Sequence, residues 1–228
     1  MQRHLVTLAV VSTTDFRRAR SVAAKQQREQ AILDAAAMLG AERGIRRVTL
    51  TDIAEVVGMH KSAMLRYFET REQIFLRLTA TGWQDWSQAL RAELATLADP
   101  SPGAVAEAFA TTLVARPMFC DLLAQAPLNL ERNVSLETVR AFKLVTLAEV
   151  AAIGAALRER LPALDDRAAV DVIASATSLA GALWQMATPG AELAALYRSD
   201  PRLAHAVVEV GPRLVRILTA QLTGLAER

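Results

Sequence analysis

The sequence predicts an all-α fold in which an N-terminal three-helix unit is joined by one long helix to a larger helical domain. Three observations carry this prediction. Of 228 residues, 52% are apolar but only 5% aromatic. No alternating β-branched run exceeds a few residues, and apolar residues recur at helical spacing in segments that open on capping residues and close at Gly or Pro. The length allows one large or two modest domains, and three short helices cannot bury a large core alone, so the N-terminal unit must lean on the rest.

In chain order, a flexible basic extension is expected over residues 1–24. It contains Arg17, Arg18 and Arg20, with Lys25 and Arg28 just beyond. Two readings apply to it: a solvated tail, or an arm that follows phosphates or enters a minor groove. The apolar run Leu5–Val11 has seven residues, against roughly 20 for a membrane span, and lacks a small-residue cleavage site. Neither an anchor nor a leader is expected. Helix one spans Lys25–Arg43, with Ile32, Ala35, Ala36 and Leu39 on one stripe and Gly44 as its stop.

Thr49 and Asp52 have capping-box spacing, and Val48 with Ile53 forms a hydrophobic staple, so a second helix begins near Leu50. Its apolar positions are Ile53, Val56 and Val57, and Gly58 supplies the turn. A third helix is expected over Lys61–Phe68. Steps of 100° put Met64, Leu65 and Phe68 on the packing side and Ser62, Ala63, Arg66 and Tyr67 on the presented side. A helix, a glycine turn and a second helix with a cationic exposed face make a helix-turn-helix, whose second helix enters the DNA major groove. Charge is distributed accordingly. Residues 1–80 carry 13 Lys+Arg against 8 Asp+Glu, whereas residues 81–228 carry 13 against 16, within a net charge of only +2.

Thr70, with Gln73 three positions on, opens a connector helix whose stripe runs Ile74, Phe75, Leu78, Trp83, Trp86, Leu90, Leu94 and Leu97 to a stop at Asp99–Pro100. Gly82 is a potential bend. Ser101–Pro102 starts a helix towards Ala115, Pro117 restarts the chain for Met118–Ala126, and Asn129–Asn133 reads as a loop. Ser135 caps a long helix from Leu136 to Leu161. Asp165 or Asp166 caps another, rich in small residues, to about Ala187. A short helix over Ala191–Arg198 precedes a last region that Gly211 and Pro212 break or kink. There Leu214, Leu218, Leu222 and Leu225 form a stripe with Ile217. This stripe and the small-residue helix are candidates either for a four-helix dimer interface or for intrachain core.

The frame Gly58, Met59, His60, Lys61, Ser62, Ala63, Met64, Leu65, Arg66, Tyr67, Phe68, Glu69, Thr70, Arg71 and Ile74, with Thr49 and Asp52 to Ala54 upstream, resembles the TetR (tetracycline-repressor-like) family of bacterial transcriptional regulators. The resemblance covers about Lys25 to Leu78. Two positions depart from the family pattern: His60 stands where a serine usually caps the recognition helix, and Leu65 replaces an aromatic. The resemblance implies an all-α homodimer that binds double-stranded operator DNA of palindromic form and is released by a small, apolar effector. On that basis residues 25–72 are the DNA-binding domain and 73–228 the effector-binding and dimerisation domain.

Expected DNA contacts follow from residue chemistry. Arg66 suits bidentate pairing with guanine, and Ser62 and Ala63 are short enough for close approach to base edges. Lys61, Tyr67, Thr49 and Arg71 suit phosphates, as does the helix N-terminus behind Thr70. Arg46 and Arg47 read equally as phosphate contacts or solubilising loop residues. His60 reads as a DNA contact or as a partly exposed structural residue. For the effector, Phe109, Phe119, Cys120, Phe142 and Trp184 are candidate lining, and Asn133 a polar contact, with the connector as one wall.

Cys120 is the only cysteine, which excludes an intramolecular disulfide and makes the cytoplasm the expected compartment. It reads as a buried inert thiol or, beside Arg116, as a redox switch. His4, His60 and His205 are scattered, and there is no phosphate loop or nucleophile elbow. No catalytic site, metal or cofactor is therefore expected. The competing reading is a helical homodimeric interaction or ligand-binding module without specific DNA binding.

Overall fold

The computed structural model describes residues 13–227, with side chains from Ala23 onward. The apolar run Leu5–Val11 and the rest of residues 1–12 lie outside the described residues, as do the side chains of Arg17, Arg18 and Arg20. The helices are α1 (Thr13–Arg43), α2 (Leu50–Val56), α3 (Lys61–Met64), α4 (Arg71–Thr96), α5 (Pro102–Val114), α6 (Pro117–Gln125), α7 (Leu136–Arg160), α8 (Asp166–Ala187), α9 (Ala191–Ser199) and α10 (Val210–Ala226). Short 3-10 turns cover Ile45–Arg47 and Pro201–Ala206, and no strand occurs among the described residues. The all-α prediction holds.

Helix starts fall where side chains satisfy orphan amides. Thr70 accepts from Gln73, Ser101 from Ala104, Ser135 from Thr138 and Asp165 from Ala168, each capping bond contributing about 1 kcal/mol. The reading unit closes around Ile32, Ala36, Leu39, Ile45, Ile53 and Met64, and it shares Ile74 and Phe75 of α4 with the rest of the core. Helix α4, 26 residues long and so about 39 Å, continues into the C-terminal part. There it packs on α7, while α6 packs on α8 and α10 lies against α5 and α8.

Several expectations change. Helix α1 begins at Thr13, ahead of Lys25. Helix α3 is four residues long and relaxes into single turns through Phe68, held by Tyr67 N–H on Met64 O at 2.9 Å and Phe68 N–H on Met64 O at 3.1 Å. Met64 and Phe68, four residues apart, both reach the core, whereas Leu65 is 53% exposed. The packing stripe is narrower than the sequence suggested, and Val56 likewise faces out. Asn129 belongs to a π turn, Ala126–Leu130, that extends α6.

Glycine and proline placements also differ. Gly82 does not interrupt α4. A Cβ there would stand 2.4 Å from Phe119 Cδ2, so the residue admits the Phe119 ring against the helix. Gly211 and Pro212 lie in the first turn of α10, where a missing N–H costs no intrahelical bond. Of that stripe, Leu214, Leu218 and Leu222 are fully buried within the chain, whereas Leu225 is half-buried and Ile217 exposed. Helix α8 has two uses. Its buried small residues permit close approach, a Cβ at Gly181 falling 2.9 Å from Ala124 N, while Val170, Ala174, Ser178, Ala182 and Met186 line its outer face.

Candidate nucleic-acid interface

Two caps fix the bend between α2 and α3. Thr49 N–H donates to Asp52 Oδ2 at 2.7 Å and Asp52 N–H returns to Thr49 Oγ1 at 3.2 Å, a complete capping box. These bonds hold Asp52 below the ordinary carboxylate range, the Thr49 amide contributing most and the Thr49 hydroxyl next. Gly58 then turns the chain at φ 64°. His60 occupies the N-cap of α3, its Nδ1 accepting from Ser62 N–H at 3.3 Å and lying 2.8 Å from Ser62 Oγ. An accepting Nδ1 puts the ring proton on Nε2. His60 thus has a structural use at this start.

On the presented surface, Thr49, His60, Lys61, Ser62 and Arg66 are exposed, and Ala63 is half-buried behind them. Arg46, Arg47, Lys61 and Arg66 have no carboxylate within ion-pair distance among the described residues. Their charge is available to a polyanion. Three other expected contacts are used internally. The Arg71 guanidinium donates to the carbonyls of Val48 and Ile45, pairs with Glu72 at 3.0 Å and lies 4.7 Å from the Phe75 ring centroid. It buttresses the loop before Thr49 rather than reaching outward. Thr70 is committed to capping α4, and Tyr67 is half-buried against the core.

Links from this unit to the C-terminal part come from pairings that no local pattern marked. Glu69 accepts from Ser135 N–H at 2.9 Å and from Thr138 Oγ1 at 2.8 Å. The Ser135 amide is the larger and the Thr138 hydroxyl the next cause of its depressed pKa. Gln73 accepts from Glu69 N–H at 2.6 Å and donates to Thr138 Oγ1 at 3.0 Å. On the other flank Asp121 accepts from Ile45 N–H at 3.0 Å and from Gln185 Nε2 at 2.8 Å. The bonds that cross to the C-terminal part join residues 65 or more positions apart, beyond the reach of motif spacing.

The six candidate ligand residues do not converge. Phe109, Phe119 and Cys120 are buried in a core that Trp83 and Trp86 complete by edge-on ring contacts, Trp86 lying 6.0 Å from Phe109 and Trp83 5.8 Å from Phe119. Phe142 lines a cavity of about 490 Å³ with Tyr67, Phe68, Gln73 and Arg77. Trp184 lines a cleft of about 1030 Å³ facing Arg43 and Arg46, and Asn133 borders a hollow of about 250 Å³ beside Arg71. Burial, then the neighbouring Asp121 charge, pushes the Cys120 thiol up to about 12. Its Sγ donates to Leu113 O at 3.3 Å, the opposite of an activated thiolate. Among the described residues no group of three or more His, Cys, Asp or Glu could hold a metal, and no helix is long and apolar enough to cross a membrane.

Two family models match the chain: "Bacterial regulatory proteins, tetR family" over residues 32–78 and "Tetracyclin repressor-like, C-terminal domain" over residues 80–228. No curated protein matches it. Among solved structures, the TetR family transcriptional regulator PfmR from Thermus thermophilus superposes with a TM-score of 0.53 at 18% identity, over 84% of this chain and 97% of that one. FadR from Bacillus subtilis, solved with stearoyl-CoA, gives 0.51 at 14%, over 84% and 98%. Thermus thermophilus FadR, a repressor solved with lauroyl-CoA, gives 0.50 at 18%, over 83% and 92%. At these identities the likeness is one of fold.

Proposed function

The chain belongs to the TetR family of bacterial regulatory proteins, and from that premise we propose that it represses transcription by binding a palindromic operator as a homodimer and leaves it when a small effector binds. It is a DNA-binding transcriptional regulator. The observation that carries the operator reading is α3 with the turns that follow it, held by caps at its entry, where exposed Lys61 and Arg66 have no carboxylate partner among the described residues. Two copies would set their α3 helices into successive major grooves about 34 to 36 Å apart.

Release follows if an effector prefers a conformer in which α4 tilts and that spacing is lost, which takes several kcal/mol of differential affinity. Glu69 and Asp121 are the polar links such a tilt would strain. The fold neighbours solved with stearoyl-CoA and lauroyl-CoA make acyl thioesters the first compounds to screen. The purified protein should retard the promoter fragment of its own gene against excess competitor DNA, with affinity falling steeply as salt rises. Equal affinity for promoter and competitor would favour the ligand-binding module without specific DNA binding.

A further inference from the structure

We propose that the cleft between the end of α1, the Ile45–Arg47 turn and the facing ends of α6 and α8 binds an amphipathic anion, a small molecule carrying a phosphate or carboxylate beside a flat apolar group. The proposal rests on the reading of the chain as an effector-controlled regulator and places control at the boundary between its two parts. The cleft encloses about 1030 Å³, at the upper end of small-molecule sites. One wall carries Arg43, Arg46 and Arg47, and the other presents Pro117, Met118 and Trp184.

The charge balance selects an anion. Among the described residues Asp121 is the only carboxylate lining the cleft, and both its oxygens are engaged, by Ile45 N–H at 3.0 Å and Gln185 Nε2 at 2.8 Å. Arg46 and Arg47 have no carboxylate partner among the described residues, and Arg43 has only the long pairs to Glu42 at 3.5 Å and Asp52 at 3.9 Å. Guanidinium forks match phosphate and carboxylate oxygens. Trp184, half-buried on the opposite wall, supplies a ring face for a planar group. The core around Phe109 and Phe119 is closed by edge-on contacts with Trp83 and Trp86, whereas this cleft is open and carries the cationic wall.

Occupancy has a direct consequence for DNA. Arg47 lines this cleft and lies two residues before Thr49, the cap of α2. An anion that draws Arg47 into the cleft withdraws it from a phosphate, so ligand and operator compete for one cation. By linkage, operator must weaken the ligand by the factor by which the ligand weakens operator.

Calorimetric titration of the full chain with naphthyl phosphate, alongside naphthol and inorganic phosphate, tests the site. Naphthyl phosphate should bind more tightly than either half. Arg46→Gln and Trp184→Ala should each weaken it about tenfold, the scale of a lost charge-assisted contact for the first and of a lost aromatic contact for the second. Gly190→Trp, placed where a Cβ meets nothing within 4 Å, should block the cleft with every polar group retained, and it serves if Trp184→Ala fails to fold. No binding, binding no tighter than inorganic phosphate, or binding unchanged in Arg46→Gln and Gly190→Trp would overturn the proposal. Promoter binding by the ligand-free protein is measured in parallel. If promoter binding is intact and the cleft inert, the site alone fails; if ligand binds and promoter discrimination is absent, the regulator reading fails and the site stands.

Discussion

Glu69 and Asp52 are the residues through which acid should reach the reading unit. Both carboxylates are held below their ordinary values of 4.5 and 3.8, chiefly by the amides of Ser135 and Thr49 respectively. A lowered native pKa means that the unfolded chain binds more protons over that interval. The stabilisation is therefore complete above the unfolded pKa and lost as pH falls through the folded one. Glu69→Gln should melt at a lower temperature than the wild type at pH 7, and the gap should close as pH falls below 4.5; melting curves from pH 7 to 3 measure it, and a constant gap would exclude the charge as the cause. On the presented face, Arg66→Ala should cost about 1 to 3 kcal/mol on the operator and relax preference at one base pair. Lys61→Ala should weaken all sequences alike and flatten the salt slope by about one. Titrations on operator and scrambled DNA at several salt concentrations separate the two. Arg71, although cationic and next to Thr70, should behave as neither, because its guanidinium is spent on the carbonyls of Val48 and Ile45; Arg71→Ala should lower the melting temperature.

Helix contacts set the next level, and two glycines show how tightly they are made. An added Cβ at Gly82 meets the Phe119 ring at 2.4 Å, and one at Gly181 meets Ala124 N at 2.9 Å. Overpacking of this kind costs about 1 to 3 kcal/mol. Gly82→Ala should be the milder, since a ring can pivot, whereas Gly181→Ala pushes α8 off the backbone of α6; chemical denaturation of both variants gives the order. These helix starts were legible from sequence because a cap is local: Thr49, Thr70, Ser101, Ser135 and Asp165 each bond the amide three residues on. What a helix face meets was not legible. The periodicity assigns Leu65 to the core, and Gly82 reads as a potential bend, yet Met64 and Phe68 make the core contact, and Phe119 needs the space over Gly82. The same limit scattered the ligand candidates, since whether Phe109 and Phe119 line a cavity or fill one depends on where Trp83 and Trp86 point.

At the scale of the whole molecule, the outer faces of α8 and α10 have no partner among the described residues, and they carry the proposed dimer. Helix α8 presents Val170, Ala174, Ser178, Ala182 and Met186 at intervals of four, and α10 presents Ile217, Ala220 and Gly224. Gln221 Nε2 donates to Ser175 Oγ at 3.1 Å and sets the two helices side by side. Since Leu214, Leu218 and Leu222 are consumed by α5 and α8, a second copy would meet small and medium side chains, which permit the close helix approach of a four-helix interface. Ser178→Arg puts a guanidinium in the middle of that face, where a twofold-related copy would bring a second one against it. The variant should keep the melting behaviour of the isolated chain, because position 178 is exposed within the chain, and should sediment as a monomer. Operator affinity should then fall far more than the loss of one contact explains, since each α3 would bind its half-site without the effective concentration supplied by its twin. A dimeric Ser178→Arg protein would move the interface elsewhere, and a monomer with undiminished operator affinity would separate DNA reading from pairing.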